Sequence, residues 1–459
     1  MAGKRKTNPA GSTNDLRGDV LRVLGVLKVA TADQIQRIGA PHLSYRHTTK
    51  PTASERRTAR TAAHTGALSD MRRHGLAENG GTTRTGQTLR NLTPKGLQAA
   101  SYELHRPPTE MGSTARGAGS SGASHPMAVN ETVIAMLRPK PNLARLTGEP
   151  AEAVAAARVA VDAPGGIGTI ASYWTEVSLP ATGTWNAPGK GGAQADIVLT
   201  APQDDVPLLF IEVDNCHETA EEIADKLEKY ARFFKRRMKD TDGRERPMWR
   251  TRWTVPAGRI GDVPQPPVLL VFNRIGDRNP DRTVPRLREL TRHLWEGERQ
   301  RGGHHLYDGK IPIIATGLRN LRAHGPADPV FLRFGRGHMQ PLPEAIGNPR
   351  AVAAQAREQE QMRARQEEYR AQLRREAEQK AAERETRRPV CADCGRKFTD
   401  DRWKTAEAYP QPGQQWHPTL CDRCEDQAVE AASRTEHERR EQDQVPEQKA
   451  GGWLSRRHP

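Results

Sequence analysis

Two Cys-x-x-Cys pairs near the carboxyl end are the sequence feature that most constrains how this chain can fold. Cys391 and Cys394 form the first pair, Cys421 and Cys424 form the second, and 26 residues separate the pairs. Such pairs place four thiolates around one tetrahedral Zn²⁺, and a short segment with few apolar residues needs metal binding to fold. The pattern predicts a zinc-ribbon-like module over residues 389–426 with structural Zn²⁺ as its cofactor. His417 is a weaker alternative ligand.

Composition divides the rest of the chain into folded and solvated parts. Its 459 residues correspond to about three domains at roughly 150 residues each. Residues near 350–388 are almost purely Ala, Arg, Glu and Gln, which predicts a solvated helix rather than a packed one. The predicted solvated segments are a polar tail over 1–14, a flexible Gly/Ser linker over 106–126, a charged helix over 346–388 and a charged tail over 427–459.

The charge balance indicates the class of partner. The chain carries a formal charge of +15, which favours a polyanion but says nothing about fold. No apolar run approaches the roughly 18 residues of a membrane helix, and the basic start lacks the apolar segment of a secretory signal. We therefore expect a cytoplasmic protein that does not associate with membranes.

Residues 15–105 show the element order of a winged helix-turn-helix. Val20, Val23, Leu24 and Leu27 mark one face of a first helix. Thr31 is a candidate N-cap for a second helix that ends at Gly39. A third helix over 54–74, a short hairpin and a helix that opens at Pro94 complete the pattern.

Arginines concentrate on the third helix and the hairpin of this segment. Such a helix fits the major groove of DNA, and arginines on a wing contact phosphate or the minor groove. This predicts double-stranded DNA as partner, with Ser69 and His64 as further candidates for base contacts. The alternative is a basic, solvated helix in a protein-interaction domain. The predicted DNA-binding residues are Arg56, Arg57, Arg60, Arg72, Arg73, Arg84 and Arg90.

Residues 127–345 predict an α/β core with a mixed sheet. An amphipathic helix from Ala220 to Phe234 lies between the third and fourth strand candidates, and strands on both sides of a helix are typical of such a core. The strand candidates are 173–179, 195–200, 206–213, 267–272, 311–315 and 330–334.

Carboxylates at the strand ends of this core suggest metal chemistry. Asp196 begins one strand candidate, Glu212 and Asp214 end the next, and Glu176 lies on the strand before them. Clustered carboxylates suit Mg²⁺, which phosphodiester hydrolysis uses to activate water. An Asp followed by Glu-x-Lys on adjacent strands is the PD-(D/E)xK pattern of nucleases with a restriction-endonuclease-like core. Asp214 occupies the lysine position here, and Lys226 on the next helix is the candidate replacement.

From these residues alone, Asp196 and Glu212 are candidate Mg²⁺ ligands, and Asp214 and Lys226 are further catalytic candidates. The alternative is that these strand-end carboxylates bind nothing.

Taken together, these residues resemble the replication-relaxation family of actinobacterial plasmid and mobile-element proteins. The similar stretches lie within residues 15–335, and the charged helix and the zinc module are outside them. The resemblance implies a role in plasmid replication and DNA relaxation, with a winged helix joined to a nuclease-like core. By that similarity Glu131, Asp196, Glu212 and Lys226 correspond to metal and catalytic positions. The similar stretches include 24–38, 68–76, 92–97, 125–131, 195–196 and 210–230.

The expected function is therefore DNA binding in the replication or mobility of such an element, with a nuclease-like core whose catalytic activity the incomplete Glu-x-Lys motif leaves open. A Mg²⁺-dependent nickase and a winged-helix transcriptional regulator are the alternatives. A second copy of the chain and other replication or transfer proteins are further candidate partners.

Overall fold

A computed structural model describes residues 12–114, 123–239, 243–255, 264–300, 303–413 and 415–442. The chain divides into two compact units, Met1–Ala356 and Arg357–Pro459. Most of the predicted amino-terminal tail (1–11), residues 115–122 of the predicted linker and residues 443–459 of the predicted charged tail lie outside the described residues.

The described residues 12–103 form four α-helices and a small three-stranded sheet. Thr31 caps α2 in a reciprocal capping box with Gln34, as its position before the helix predicted. Strand β1 has only three residues and pairs with β3, so no sequence periodicity marked it. The elements are α1 Asn14–Leu27, β1 Val29–Thr31, α2 Ala32–Gly39, α3 Ala53–Arg73, β2 Ala77–Thr82, β3 Thr88–Leu92 and α4 Pro94–Glu103.

The remainder of the first unit is built around a larger sheet. Its helices are α5 Ser124–Leu137, α6 Ala151–Asp162, α7 Ala220–Lys235, α8 Pro280–Leu290, α9 Arg292–Trp295, α10 Leu318–His324 and α11 Leu342–Ile346. Its strands are β4 Tyr173–Leu179, β5 Ala193–Ala201, β6 Val206–Asp214, β7 Arg237–Lys239, β8 Glu245–Pro247, β9 Val268–Phe272, β10 Glu298–Arg299, β11 His305–Leu306, β12 Ile313–Gly317, β13 Phe331–Arg333 and β14 Met339–Gln340.

Seven of these strands form one mixed sheet, which confirms the predicted mixed α/β arrangement. The strand order is β14-β13-β12-β9-β6-β5-β4. The neighbours β6, β9 and β12 run parallel, and the other pairs in this sheet are antiparallel. The carboxyl ends of β6, β9 and β12 therefore share one edge of the sheet, which we call the carboxyl edge.

Both faces of the sheet are covered. Leu227 and Phe234 of α7 and Leu287 of α8 belong to the core on one face. Leu24 of α1, Val133 of α5 and Leu321 of α10 belong to the core on the other face. The amino-terminal segment is thus part of the same hydrophobic core as the sheet.

Polar contacts also join the amino-terminal segment to the sheet. Thr175 on β4 donates its hydroxyl proton to the carbonyl of Val26. The Asn130 amide on α5 donates to the carbonyl of Val29 at 2.8 Å. Arg106, within the predicted linker, is buried and donates to the carbonyl of Tyr173 at 2.7 Å. Arg106 of the predicted linker therefore packs against the sheet.

The second unit contains helices and a small core. The predicted charged helix is α12 Pro349–Thr386, which begins in the first unit, and it is followed by α13 Asp400–Ala408 and α14 Asp422–Gln442. Cys391, Phe398, Trp403 and Cys424 form the buried core. Among the residues that the structure describes, no helix has both the length and the apolar character needed to cross a membrane.

Candidate functional site

The candidate site lies where β5 and β6 separate at the carboxyl edge of the sheet. The two strands pair as far as Ile197 and Ile211. Beyond this point the carboxylate of Asp196 takes the place of a backbone partner, because its Oδ2 accepts the N–H of Val213 at 2.7 Å. Asp196 is consequently buried and fixed between the two strands.

A local distortion of β4 brings a second carboxylate to Asp196. Glu176 has a φ of +55° and interrupts the β4–β5 pairing opposite Asp196. Thr175 faces α1, whereas Val177 belongs to the core beneath α7. Residues two apart in a regular strand share one face of the sheet, so the strand is twisted over at Glu176. A positive φ at a non-glycine residue costs free energy and is often retained at functional sites. The distortion carries the Glu176 carboxylate to the carboxyl edge.

His125 completes a group of three side chains that could hold a metal ion. Its Nε2 lies 3.0 Å from Oδ1 of Asp196. One ligand atom each from His125, Glu176 and Asp196 all lie within 4.8 Å of one another. The hydrogen bond with Asp196 raises the pKa of His125, although burial opposes that effect. Burial and the neighbouring Asp196 raise the pKa of Glu176.

Glu212 lies beside this group and contacts the candidate lysine. Its side chain is buried, and the Tyr230 hydroxyl donates to its Oε1 at 2.5 Å. The Nζ of Lys226 lies 3.6 Å from Oε2 of Glu212 and 2.6 Å from Glu218. Burial and then the charge of Asp196 raise the pKa of Glu212 to about 8. For Lys226 burial lowers the pKa, but Glu212 and Glu218 outweigh it and the net shift is upward.

Of the predicted catalytic residues, Asp196, Glu212 and Lys226 are thus brought together. We call these three residues, with His125 and Glu176, the carboxylate cluster. Because it draws on β4, β5, β6, α5 and α7, the cluster depends on the assembled fold. Its lysine and carboxylates have the composition that a metal-dependent phosphodiesterase uses.

Asp214 and Glu131 are not members of the cluster, although Asp214 lines a small pocket together with Glu212 and Lys226. The Asp214 carboxylate accepts the N–H of His217 at 3.3 Å, in the turn that follows β6. Glu131 accepts hydrogen bonds from Gln34 and Arg37 of α2, so it joins α5 to α2. Their predicted catalytic roles remain predictions, and the contacts seen here are structural ones.

His125 is the cluster member that sequence reasoning did not select. It precedes Asp196 by 71 positions and sits in the first turn of α5, where no spacing rule connects it to a strand-end carboxylate. Only the folded arrangement identifies it.

The predicted DNA-binding arginines have different environments. Arg72 and Arg73 at the end of α3 and Arg84 on the β2–β3 hairpin are exposed. Arg60 forms an ion pair with Asp33 of α2. Burial, and then the charge of Arg72, lower the pKa of Arg90.

The other polar residues of α3 are less available. Arg56 donates to the carbonyl of Lys50 at 2.8 Å, and Arg57 is partly buried. Ser69 is also partly buried. His64 is only 1% exposed, so the expectation that it contacts bases is wrong in this conformation. Its position on the α3 face that packs against the neighbouring helices explains the burial.

A cleft lies between the β2–β3 hairpin and the first turns of α5, and no residue of the carboxylate cluster is among those that line it. Hairpin residues Thr83, Arg84 and Thr85 line one side. Ser124 and Met127, which flank His125 in the first turn of α5, line the other side. We call this space the hairpin cleft. It lies between the exposed hairpin arginine and α5, the helix that carries His125.

The four predicted zinc ligands converge in the second unit. One Sγ atom each from Cys391, Cys394, Cys421 and Cys424 all lie within 4.8 Å of one another. Gly395 follows the first pair with a φ of +68°, as a tight turn requires. His417 is outside this group, and its N–H donates to Glu425.

Backbone donors around Cys391 also suit a metal-bound thiolate. Burial would raise the pKa of the Cys391 thiol, but backbone N–H groups of Cys394, Cys421 and Asp393 lower it to about 6. The N–H of Cys421 lies 3.2 Å from the Cys391 sulfur. N–H donors stabilise the anionic form of sulfur, which is the form that binds a metal. The four-cysteine cluster can therefore bind a metal ion such as zinc.

In the comparison with models of known protein families, the model described as replication-relaxation matches residues 21–244. This range contains the second half of α1, the helices α2 to α7 and all five residues of the carboxylate cluster. It ends before the charged helix α12 and the four cysteines. No curated protein and no solved structure matches the chain.

Proposed function

The chain belongs, through residues 21–244, to the replication-relaxation family, and from this membership we propose that it binds double-stranded DNA and acts in the replication and relaxation of a plasmid or mobile element. The family match is the observation that carries the proposal. The charge of +15 supports it, because a polyanionic partner offsets that excess.

The amino-terminal segment is proposed as a winged helix-turn-helix. Helices α2 and α3 would form the helix pair, with α3 in the major groove and the β2–β3 hairpin as the wing. The exposed Arg72 and Arg84 are available for phosphate contacts, and the exposed Arg73 would contact phosphate by leaving its 3.4 Å ion pair with Asp70. Arg60 instead holds α2 against α3 through Asp33, so its removal would disturb the helix pair rather than one DNA contact.

Duplex binding by α3 can be tested by fluorescence anisotropy with labelled double-stranded DNA at several salt concentrations. Replacing Arg72 and Arg73 with glutamine should weaken binding and reduce the magnitude of the logarithmic salt slope by about 2, because two phosphate contacts are lost. The matched control replaces Arg374 and Arg375, an exposed adjacent pair on α12. Equal loss in both variants, or no binding by the unmodified protein, would refute the assignment to α3.

A second candidate function is a metal-dependent DNA nickase with a PD-(D/E)xK-like core. The observation that favours it is the 3.6 Å contact between Lys226 and Glu212, since it supplies a lysine to a motif that lacks one on the strand. Asp196 and Glu212, with Glu176 and His125, are the residues that would hold the metal. When bound, a divalent cation such as Mg²⁺ supplies Lewis acidity and an activated water.

Individual residues of the cluster would have different roles in the proposed nickase. Asp196 is oriented by the N–H of Val213, and Glu212 is oriented by Tyr230. The Lys226 ammonium would stabilise negative charge on a phosphate brought to the carboxyl edge. The hairpin cleft borders α5, the helix that carries His125 of the cluster.

Nicking can be tested with supercoiled plasmid and Mg²⁺ or Mn²⁺, read as conversion to the open circle. Asp196→Asn and Lys226→Met should each abolish nicking while duplex binding is retained. Lys235→Met is the control, because Lys235 is an exposed residue of the same helix. If the unmodified protein leaves the plasmid supercoiled with both metals, the nickase is excluded and the DNA-binding proposal stands on the anisotropy result.

The four-cysteine cluster is proposed as a structural zinc site. All four ligands are thiols, which leaves no open coordination position for catalysis. The small core around Phe398 and Trp403 has few apolar residues, so metal binding would supply part of the folding free energy.

A further inference from the structure

The topology of the sheet creates a crevice away from the carboxylate cluster. Strands β9 and β12 are parallel neighbours at the carboxyl edge. After β9 the chain continues into α8, whose Leu287 packs on the face covered by α7. After β12 it continues into α10, whose Leu321 packs on the opposite face. In open α/β sheets, neighbouring strands whose connections leave toward opposite faces have a crevice between them, and ligands commonly bind there.

This crevice is large and is lined by both apolar and polar residues. Its volume is about 990 Å³, at the upper end of the range for small-ligand sites. One set of lining residues is apolar and includes Val284, Leu332 and Met339. The polar lining residues are Asn273, Arg274, Asp281, Arg288, Thr316, Arg319, Asn320 and His324. Apolar walls with a few convergent polar groups are what a small organic ligand requires.

The charges in the crevice favour an anion. Arg274 is paired with Asp281 at 3.0 Å. Within the described ranges, Arg288 and Arg319 have no ion pair, although Arg288 is partly buried. Asp281 is the single acidic residue among those that line the crevice, so no second carboxylate offsets these two guanidinium groups. A guanidinium binds phosphate oxygens with two parallel hydrogen bonds.

We propose that this crevice binds the phosphate of a nucleotide, with its arginines on the phosphate and its apolar wall against the sugar and base. Two sources present this chemistry, a free nucleotide and the phosphorylated end of a DNA strand. The side chains of the carboxylate cluster do not line the crevice, so binding needs none of them. The proposal is also independent of duplex binding by α3.

The test is isothermal titration calorimetry of the full chain with dATP and, separately, with a 5′-phosphorylated single-stranded DNA decamer. The variants Arg288→Gln and Arg319→Gln should each weaken binding at least tenfold. Arg282→Gln is the control, because Arg282 lies exposed on α8 outside the crevice and should change affinity less than twofold. Circular dichroism of each variant establishes that the fold is retained.

The two probes separate the sources. Binding of dATP that depends on Arg288 and Arg319 identifies a free nucleotide as the ligand. Binding of the decamer alone, with the same dependence, identifies a DNA end. The proposal is overturned if neither probe binds, or if folded Arg288→Gln and Arg319→Gln bind both probes as well as Arg282→Gln does. Duplex binding measured with the same variants should be unchanged, so failure here does not bear on α3.

Discussion

Lys28 shows how a single residue connects the amino-terminal segment to the sheet. It follows α1 with a φ of +66° and is only 6% exposed. Its ammonium donates to the carbonyls of Gly25 and Met111. Burial, and then the charges of Arg106 and Arg252, lower the pKa of Lys28 to about 7, while Glu176 acts in the opposite direction.

This shift gives a pH-dependent stability whose sign can be derived. Between pH 7 and 10.5, the unfolded chain holds the proton on Lys28 while the folded chain has released it, so wild-type stability rises with pH in that window. Below pH 7 both states are protonated, and the cost of burying the charge is present in full. The full change is on the order of 5 kcal/mol.

Lys28→Met removes this dependence. The difference in melting temperature, wild type minus variant, should therefore increase as pH is raised from 7 toward 10, as followed by differential scanning calorimetry. The exposed Lys235→Met variant should show a constant difference over the same range. A difference for Lys28→Met that does not vary with pH would mean that the folded state keeps this lysine charged.

The carboxylate cluster also shows what residue-level reasoning can predict. Asp196 and Glu212 were accessible from the sequence because each lies at the end of a recognisable strand. Lys226 was a candidate because it lies on the helix that follows the strand of Glu212. Asp214 is two residues after Glu212, so a regular strand would place both side chains on the same face. The backbone N–H groups of the turn after β6 instead donate hydrogen bonds to the Asp214 carboxylate, and an alternating strand pattern cannot predict such contacts. The position of Glu176 could not be predicted, because its positive φ turns the strand over and an alternating pattern of apolar and polar residues does not show this distortion.

At the scale of elements, helix starts were the most predictable feature. Threonines cap α2, α3, α4 and α7, and each accepts a backbone N–H of the first turn. Helix α6 was missed because alanines provide its buried contacts, at Ala153 and Ala157, and alanine carries little periodic signal. Strand β1 was missed because it depends on pairing with β3, about sixty residues away.

Replacing two glycines with alanine should change the stability of the first unit in opposite directions. A Cβ on Gly96 in α4 would lie 1.9 Å from the carbonyl oxygen of Leu76, a backbone atom that cannot move aside freely. Gly66 lies within α3, and a Cβ there would have no atom within 4 Å. Gly96→Ala should therefore destabilise the first unit by about 1–3 kcal/mol through overpacking. Gly66→Ala should stabilise it by about 0.5–1 kcal/mol, since alanine favours helix more than glycine does.

Urea denaturation followed by far-UV circular dichroism measures both effects. The two substitutions make the same chemical change in helices of the same segment, so each is the control for the other. Shifts of the same sign would contradict the close approach of α4 to Leu76 or the open environment of Gly66.

At the scale of the whole molecule, composition located the solvated segments but did not indicate packing between segments. The charged helix is present as α12, because a run of Ala, Arg, Glu and Gln can form a helix without burying a face. The segment 106–114 looked like a linker from its prolines and its proximity to a Gly/Ser run. In the fold, Arg106 and Met111 are buried against the rest of the first unit, and such contacts depend on residues distant in sequence.

The division into two units leads to a prediction about metal removal. In the second unit the buried core consists of Cys391, Phe398, Trp403 and Cys424, two of which are proposed zinc ligands. The first unit has an extensive apolar core that contains none of the four clustered cysteines. Removing the metal should therefore unfold the segment around 389–426 and leave the first unit folded.

Elemental analysis should find one zinc per chain in the purified protein, and Cys421→Ser should lower that content because it removes one of four ligands. Limited trypsin digestion with mass spectrometry should then show new cleavage between residues 389 and 426 after chelation, while the fragment from the first unit persists. Cys216→Ser is the matched control, because Cys216 is buried in the core of the first unit and outside the cysteine cluster. That variant should retain the zinc and change only the stability of the first unit. A segment that resists trypsin equally well with and without chelator would mean that Phe398 and Trp403 hold it folded without metal.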